Sequence, residues 1–222
     1  VSASISTPSK IVCLARTFAL HAQELGNAVP TEPLYFLKAT SAVVPSGVPI
    51  RIPSVSAEVH HEGEAAVVVG RRVTRGMSPA EAEAAIKGWT VLNDVTARDL
   101  QRADRGRFTR AKGFDTFCPL GELHVGPVDW RQLRICCWVD GEKRQDGALR
   151  ELLFTPGEIL AKVAAVMTLQ PGDVVSLGTP AGVGTLLAGQ QVRVALLDAA
   201  GAVLAEVHNP VVADTPPDAS SG

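Results

Sequence analysis

The chain has 222 residues, 46% of them hydrophobic, and a formal net charge of −2 at pH 7. That length and apolar content suffice for one large domain with a full core. Lysines and arginines are scattered, and Asp104 breaks the densest patch, Arg102 to Arg107. No nucleic-acid or membrane partner is therefore expected.

No apolar run approaches a membrane span, and the first residues lack a signal-peptide core. Residues 1–9 are expected to be a disordered leader, 10–210 a single domain, and 211–222 a disordered tail. Cys13, Cys118, Cys136 and Cys137 form no C-x-x-C pair. They read as buried thiols of a reducing compartment, which favours a cytoplasmic protein.

In chain order, Lys10 to Ala15 reads as a buried strand. A short helix follows over Thr17–Leu25, with Thr17 as candidate cap and Gly26-Asn27 as stop. His21 and Glu24 share one helical face, as a general base with its orienting carboxylate or as an ordinary surface pair. Leu34 to Lys38 is a strand ending in a cation that either caps an edge or faces a site. Ser41 to Pro53 is turn-rich β structure.

The stretch Val59-His-His-Glu62-Gly-Glu64 runs on into Val67-Val-Val69, as a strand entering a buried sheet would. Alternation puts Glu62, Glu64 and His60 on one face, with the two carboxylate roots about 6 to 7 Å apart. Such a pair marks either a frayed strand end or a site for a hard cation. Ser78-Pro-Ala-Glu81 predicts a capped helix to about Ile86, and Thr155-Pro-Gly-Glu158 another to Met167. Between them, Trp89 to Asp94 is a strand, where Asp94 is a helix cap or a third metal ligand. Asp99 should pair with Arg98 or Arg102, and Ala111 to Phe117 reads as a loop. Arg134 to Asp140 and Glu142 to Gln145 form a hairpin about Asp140-Gly141. The strand Val174–Leu177 empties into the glycine loop Gly178–Gly184, which lacks the P-loop ending. Two strands, Val192–Leu197 and Val203–Val207, close the domain. The tally is a β-rich α+β fold with a few short helices.

Six ordered blocks now form one pattern: Arg16…His21-x-x-Glu24, Phe36-Leu-Lys38, Val59-His-His-Glu62-Gly-Glu64, Asn93-Asp94-Val-Thr-Ala-Arg-Asp99, Ala111-Lys112-Gly-Phe-Asp115 and Gly178-Thr179-Pro-Ala-Gly-Val-Gly184. Together they closely resemble the fumarylacetoacetate hydrolase family, in particular its acylpyruvate hydrolase and oxaloacetate decarboxylase branch. The resemblance spans about Lys10 to Val207 and implies the family's mixed β-roll, met as a homodimer. It further implies that Glu62, Glu64 and Asp94 hold Mg²⁺ or Mn²⁺, with Ca²⁺ as a substitute. Lys112 would stabilise an enolate, and His21 with Glu24, on a lid helix of about 17–26, would activate water. Arg16, Lys38, Gln101 and Thr179 would contact a small 2-oxo acid.

The implied reaction is hydrolysis of an acylpyruvate to pyruvate and a carboxylic acid, with possible decarboxylation of oxaloacetate. The competing expectation keeps the fold and metal but gives isomerase, tautomerase or hydratase chemistry on 2-hydroxy-2,4-dienedioates. Relatives often carry Asn-Tyr at Thr17-Phe18, Trp at Phe108 and Pro at Ala39, departures that bear on specificity. His60 is either a ligand or a residue touching one.

Overall fold

The computed structural model describes residues 2–3, 8–18 and 30–214. The strands are β1 (Ser2–Ala3), β2 (Ile11–Ala15), β3 (Leu34–Lys38), β4 (Val43–Val44), β5 (Ile50–Ile52), β6 (Val59–His61), β7 (Gly63–Val69), β8 (Ile86–Asn93) and β9 (Thr96–Ala97). They continue with β10 (Cys118–Pro119), β11 (Leu123–His124), β12 (Arg134–Val139), β13 (Glu142–Ala148), β14 (Val174–Ser176), β15 (Gly184–Thr185), β16 (Gln191–Leu197) and β17 (Val203–Ala213). The helices are α1 (Pro79–Glu83), α2 (Arg98–Ala103), α3 (Thr109–Lys112) and α4 (Pro156–Ala164). The expected β-rich α+β fold is what the chain adopts.

A seven-stranded mixed sheet, ordered β1-β11-β8-β7-β14-β2-β3, faces a five-stranded sheet, β13-β12-β16-β17-β5. Between them lies the main core, where Val67, Val91, Val175 and Leu177 meet Ile135, Val194, Leu196 and Val207. The other face of the seven-stranded sheet carries a second cluster around Ile11, Cys13, Ala66, Leu92 and Cys118. Its polar margin becomes the site.

Both capping boxes form. Ser78 and Thr155 accept from the backbone of Glu81 and Glu158, whose carboxylates bond back to the cap N–H groups. Both helices nevertheless stop short of the pattern-based ends. Ile86 pairs with Val69 and so belongs to β8, because a ladder bond outcompetes another helical turn there. Ala111-Lys112 is the end of α3 instead of loop.

Other corrections concern the ends and the acidic strand. Ser2–Ala3 pairs with β11, inside the expected leader, and β17 runs to Ala213, into the expected tail. Thr17, the candidate cap, donates its hydroxyl to the Leu177 carbonyl at 2.5 Å. The expected lid helix from residue 19 onward lies outside the described residues, as do His21 and Glu24. The strand expected over 59–70 is broken at Glu62. Before the break, β6 pairs with β15 and β9; after it, β7 pairs with β8 and β14.

Candidate active site

The break at Glu62 is clamped from both sides. Its N–H donates to Asn93 Oδ1 at 2.9 Å, and its carbonyl accepts from Asp94 N–H at 2.8 Å. The acidic segment and the end of β8 are thereby held together, which brings Glu62, Glu64 and Asp94 into one buried neighbourhood.

Buried cations answer these carboxylates. Lys112, at the end of α3, donates to Glu62 Oε2 at 2.8 Å, Asp94 Oδ2 at 2.6 Å and Thr96 Oγ1 at 2.8 Å. Burial opposes its charge, but Asp94 and Glu62 outweigh that and hold the ammonium protonated above the usual lysine range. Its Nζ lies 5.1 Å from the centre of the Phe36 ring, which stacks on Phe108 at 4.4 Å. Phe108 and Phe36 thus form an aromatic wall beside the ammonium. Lys38 donates to Asp94 Oδ1 at 2.5 Å and to the Lys112 carbonyl at 2.7 Å. Expected to touch substrate, it lies instead beneath Asp94, fully enclosed.

Arg98, the first residue of α2, pairs with Glu62 and donates to Gln101 Oε1 at 3.0 Å. His60 does not join the acidic cluster. It faces Arg98, Thr185 and Glu58, and its imidazole is lowered by burial and then by the Arg98 charge. Asp99 pairs with neither arginine. It accepts from Ser56 Oγ and Ala57 N–H, tying α2 to the loop before β6.

Glu64 accepts from the Ser176 hydroxyl, and its carboxyl is raised well above the usual range by burial, then by the nearby Asp94 and Glu62 charges. Carboxylate oxygens gathered this closely are the donors a hard divalent cation takes, so the donor set fits a hard metal. Ligand atoms of Glu64, Asp94 and Cys13 lie within 4.8 Å of one another. Glu62 joins them through the shared Lys112 ammonium. Cys13 was not anticipated, and an isolated cysteine in an apolar strand gives no signal of this position. Burial, then the Asp94 and Glu64 charges, push its thiol well up.

A cleft of about 360 Å³ opens over this cluster. Arg16, Glu62, Glu64, Gln101, Lys112 and Thr179 line it, together with Arg98, Phe36 and Phe108. Arg16 sits at the end of β2 with φ of 59°, a sparsely populated conformation for a non-glycine residue. Close by, Gly178 has φ of 90°, and a Cβ there would come within 2.0 Å of Thr17 Oγ1. The glycine loop is shaped by such close passage.

These features define a cleft lined by buried acidic and basic groups in a mixed β-fold. Residues 10–212 match the family model for the fumarylacetoacetate (FAA) hydrolase C-terminal domain. The chain belongs to the fumarylacetoacetate hydrolase family. It is 40% identical over 189 residues to the mitochondrial oxaloacetate tautomerase FAHD1 of Arabidopsis thaliana, covering 83% of this chain and 84% of that one. To the mitochondrial oxaloacetate decarboxylase of Dictyostelium discoideum it is 37% identical over 193 residues, covering 84% and 88%. Among solved structures, 5-carboxymethyl-2-hydroxymuconate delta-isomerase from Mycobacterium smegmatis superposes with TM-score 0.85 at 40% identity, covering 97% and 82%. Fumarylpyruvate hydrolase from Pseudomonas aeruginosa, in complex with Mn²⁺ and pyruvate, gives TM-score 0.84 at 30% identity, covering 96% of each chain. Among the described residues no helix is long and apolar enough to cross a membrane.

Proposed function

We propose that this protein is a divalent-metal-dependent hydrolase that splits acylpyruvates into pyruvate and a carboxylic acid, and that it also decarboxylates oxaloacetate. The observation that carries this reading is the protonated Lys112 ammonium, held by Glu62 and Asp94 at the wall of a cleft sized for a small acid. Cleavage of the C–C bond consumes one water and expels pyruvate as its enolate. That leaving group is poor unless its charge is met. Mg²⁺ or Mn²⁺ held by Glu62, Glu64 and Asp94 would supply Lewis-acid charge at the substrate's 2-oxo acid end.

The protein's own groups divide the remaining work. Lys112 meets the developing enolate charge. Arg16, which makes no ion pair among the described residues, offers its guanidinium to a substrate carboxylate, and Thr179 lines the same cleft. Gln101 is oriented by Arg98. His21 with Glu24 carries water activation in this reading; both lie outside the described residues. We further propose a homodimer, since Leu34 and Leu37 are 42% and 51% exposed on β3, the edge of the seven-stranded sheet. Four buried free cysteines support a cytoplasmic setting.

A second reading is isomerase or tautomerase chemistry on a 2-oxo diacid or its enol, which needs the same enolate stabilisation without the attacking water. Its support is the 40% identity to a tautomerase and to an isomerase, against 30% to the hydrolase. The deciding experiment follows the enol absorbance of acetylpyruvate with metal-free protein and after addition of Mg²⁺ or Mn²⁺. Metal-dependent signal loss matched by pyruvate release, and abolished in Glu64→Ala, supports the hydrolase. Absence of pyruvate, with enol–keto conversion of oxaloacetate, would favour the second reading.

A further inference from the structure

We propose that Gln145 is a positioning residue for the acid-binding wall of the cleft, because its carboxamide commits the Thr179 hydroxyl to act as a hydrogen-bond donor. The inference rests on the cleft's being an acid-binding site, but its test does not require turnover.

Gln145 lies on β13, is buried, and does not line the cleft. All four hydrogen-bonding positions of its amide are filled. Oε1 accepts from Gly63 N–H at 2.9 Å and lies 3.1 Å from His61 Nδ1. Nε2 donates to the Pro180 carbonyl at 2.9 Å and to Thr179 Oγ1 at 2.7 Å. The amide cannot be turned over. Gly63 N–H can only donate and the Pro180 carbonyl can only accept, so a flipped amide would set N–H against N–H and oxygen against oxygen.

The consequence falls on Thr179. A hydroxyl has one proton and two lone pairs, and Gln145 occupies one of the lone pairs. The proton goes to the Gly63 carbonyl at 2.9 Å. A carboxylate oxygen only accepts, so the Thr179 hydroxyl can engage a bound acid only by swinging this proton from Gly63 to the ligand. The Gln145 N–H anchors the oxygen through that swing and polarises the hydroxyl toward donation. The loop has little freedom to drift from β13: Gly182 has φ of +95°, and a Cβ there would come within 2.1 Å of the Arg144 carbonyl.

The test measures oxalate binding calorimetrically in the presence of Mg²⁺, with the intact protein. The panel is wild type, Gln145→Met, Gln145→Glu, Thr179→Val, Thr179→Ser and the double variant Gln145→Met/Thr179→Val. Gln145→Met and Thr179→Val are each expected to weaken oxalate about tenfold, with Thr179→Ser close to wild type. The double variant should bind no worse than Thr179→Val alone, because both changes remove one shared interaction. Additive losses would assign Gln145 a packing role and overturn the proposal, as would wild-type affinity in Gln145→Met. Should Gln145→Met fail to fold, Gln145→Glu preserves shape but presents an acceptor to Thr179 and captures its proton. Its affinity should then fall at least as far as that of Thr179→Val, and undiminished binding would sink the idea. A wild type that binds oxalate but turns over no 2-oxo acid would refute the proposed reaction and leave this inference standing. A wild type that binds no oxalate would overturn both.

Discussion

Lys38 reaches Asp94 from beneath, its ammonium 2.5 Å from Oδ1, with both side chains closed off from solvent. This lysine does not line the cleft; it holds the carboxylate that Lys112 grips from the other side. Removing one partner of a buried ion pair leaves an uncompensated charge, costing about 3–5 kcal/mol. Because Lys112 remains, Lys38→Met should lose about 3 kcal/mol, the lower end of that range, read as a fall in urea midpoint at unchanged m-value. A substrate-contact role would instead raise KM and leave the midpoint where it was.

Lys112 should behave differently. Its charge is directed at the cleft and at the acids that line it, so Lys112→Met is expected to lower kcat by about 10² to 10³, the cost of deleting a preorganised charge-stabilising donor. Lys112→Arg should not rescue it, because a planar guanidinium cannot reproduce three short contacts from one point charge to Glu62, Asp94 and Thr96. Steady-state kinetics on whichever 2-oxo acid is turned over would decide. A change confined to KM would assign Lys112 to uniform binding.

Metal loading should register in stability as well as in activity. A ligand that binds only the native state stabilises it by about 2.7 kcal/mol at a hundredfold excess over Kd. Mn²⁺ should therefore raise the Tm of chelator-treated protein, and Glu64→Gln should abolish the rise. A full Mn²⁺ shift in Glu64→Gln would show that the cation sits elsewhere.

The parts of this architecture that could be read in the sequence are those fixed by near neighbours. Ser78 with Glu81 and Thr155 with Glu158 each close a capping box within four residues, and the Asp140-Gly141 turn closes its hairpin with φ of 50° and 81°. The order of the acidic, lysine and glycine blocks likewise pointed to the family and to the cleft that Glu62, Glu64, Lys112 and Thr179 share. What escaped depended on distant partners. Nothing near Glu62 says that β6 leaves the main sheet to pair with β15, so His60 was placed on the wrong side. Cys13 beside Glu64, Ser176 on Glu64 and Gln145 on Thr179 are all set by strand pairing across long stretches of chain. Lys38 was misplaced for the same reason: its spacing shows a strand-end cation but not that Asp94 lies above it.

Acid should expose His61. Burial, partly offset by its bond to Gln145, pushes this imidazole down to about 4 from 6.5. The unfolded chain therefore takes up the proton first as pH falls. The stability contributed by neutral His61 is fully present above about pH 6.5 and is lost between there and about pH 4. A displacement of that size corresponds to something on the order of 3 kcal/mol. In His61→Gln the titrating group is gone, so its stability should fall less than that of wild type between pH 7 and pH 4.5. Urea unfolding at those two values measures the difference directly. Equal losses in the two proteins would mean that other buried groups, such as Asp173 held by Lys10, account for the acid sensitivity.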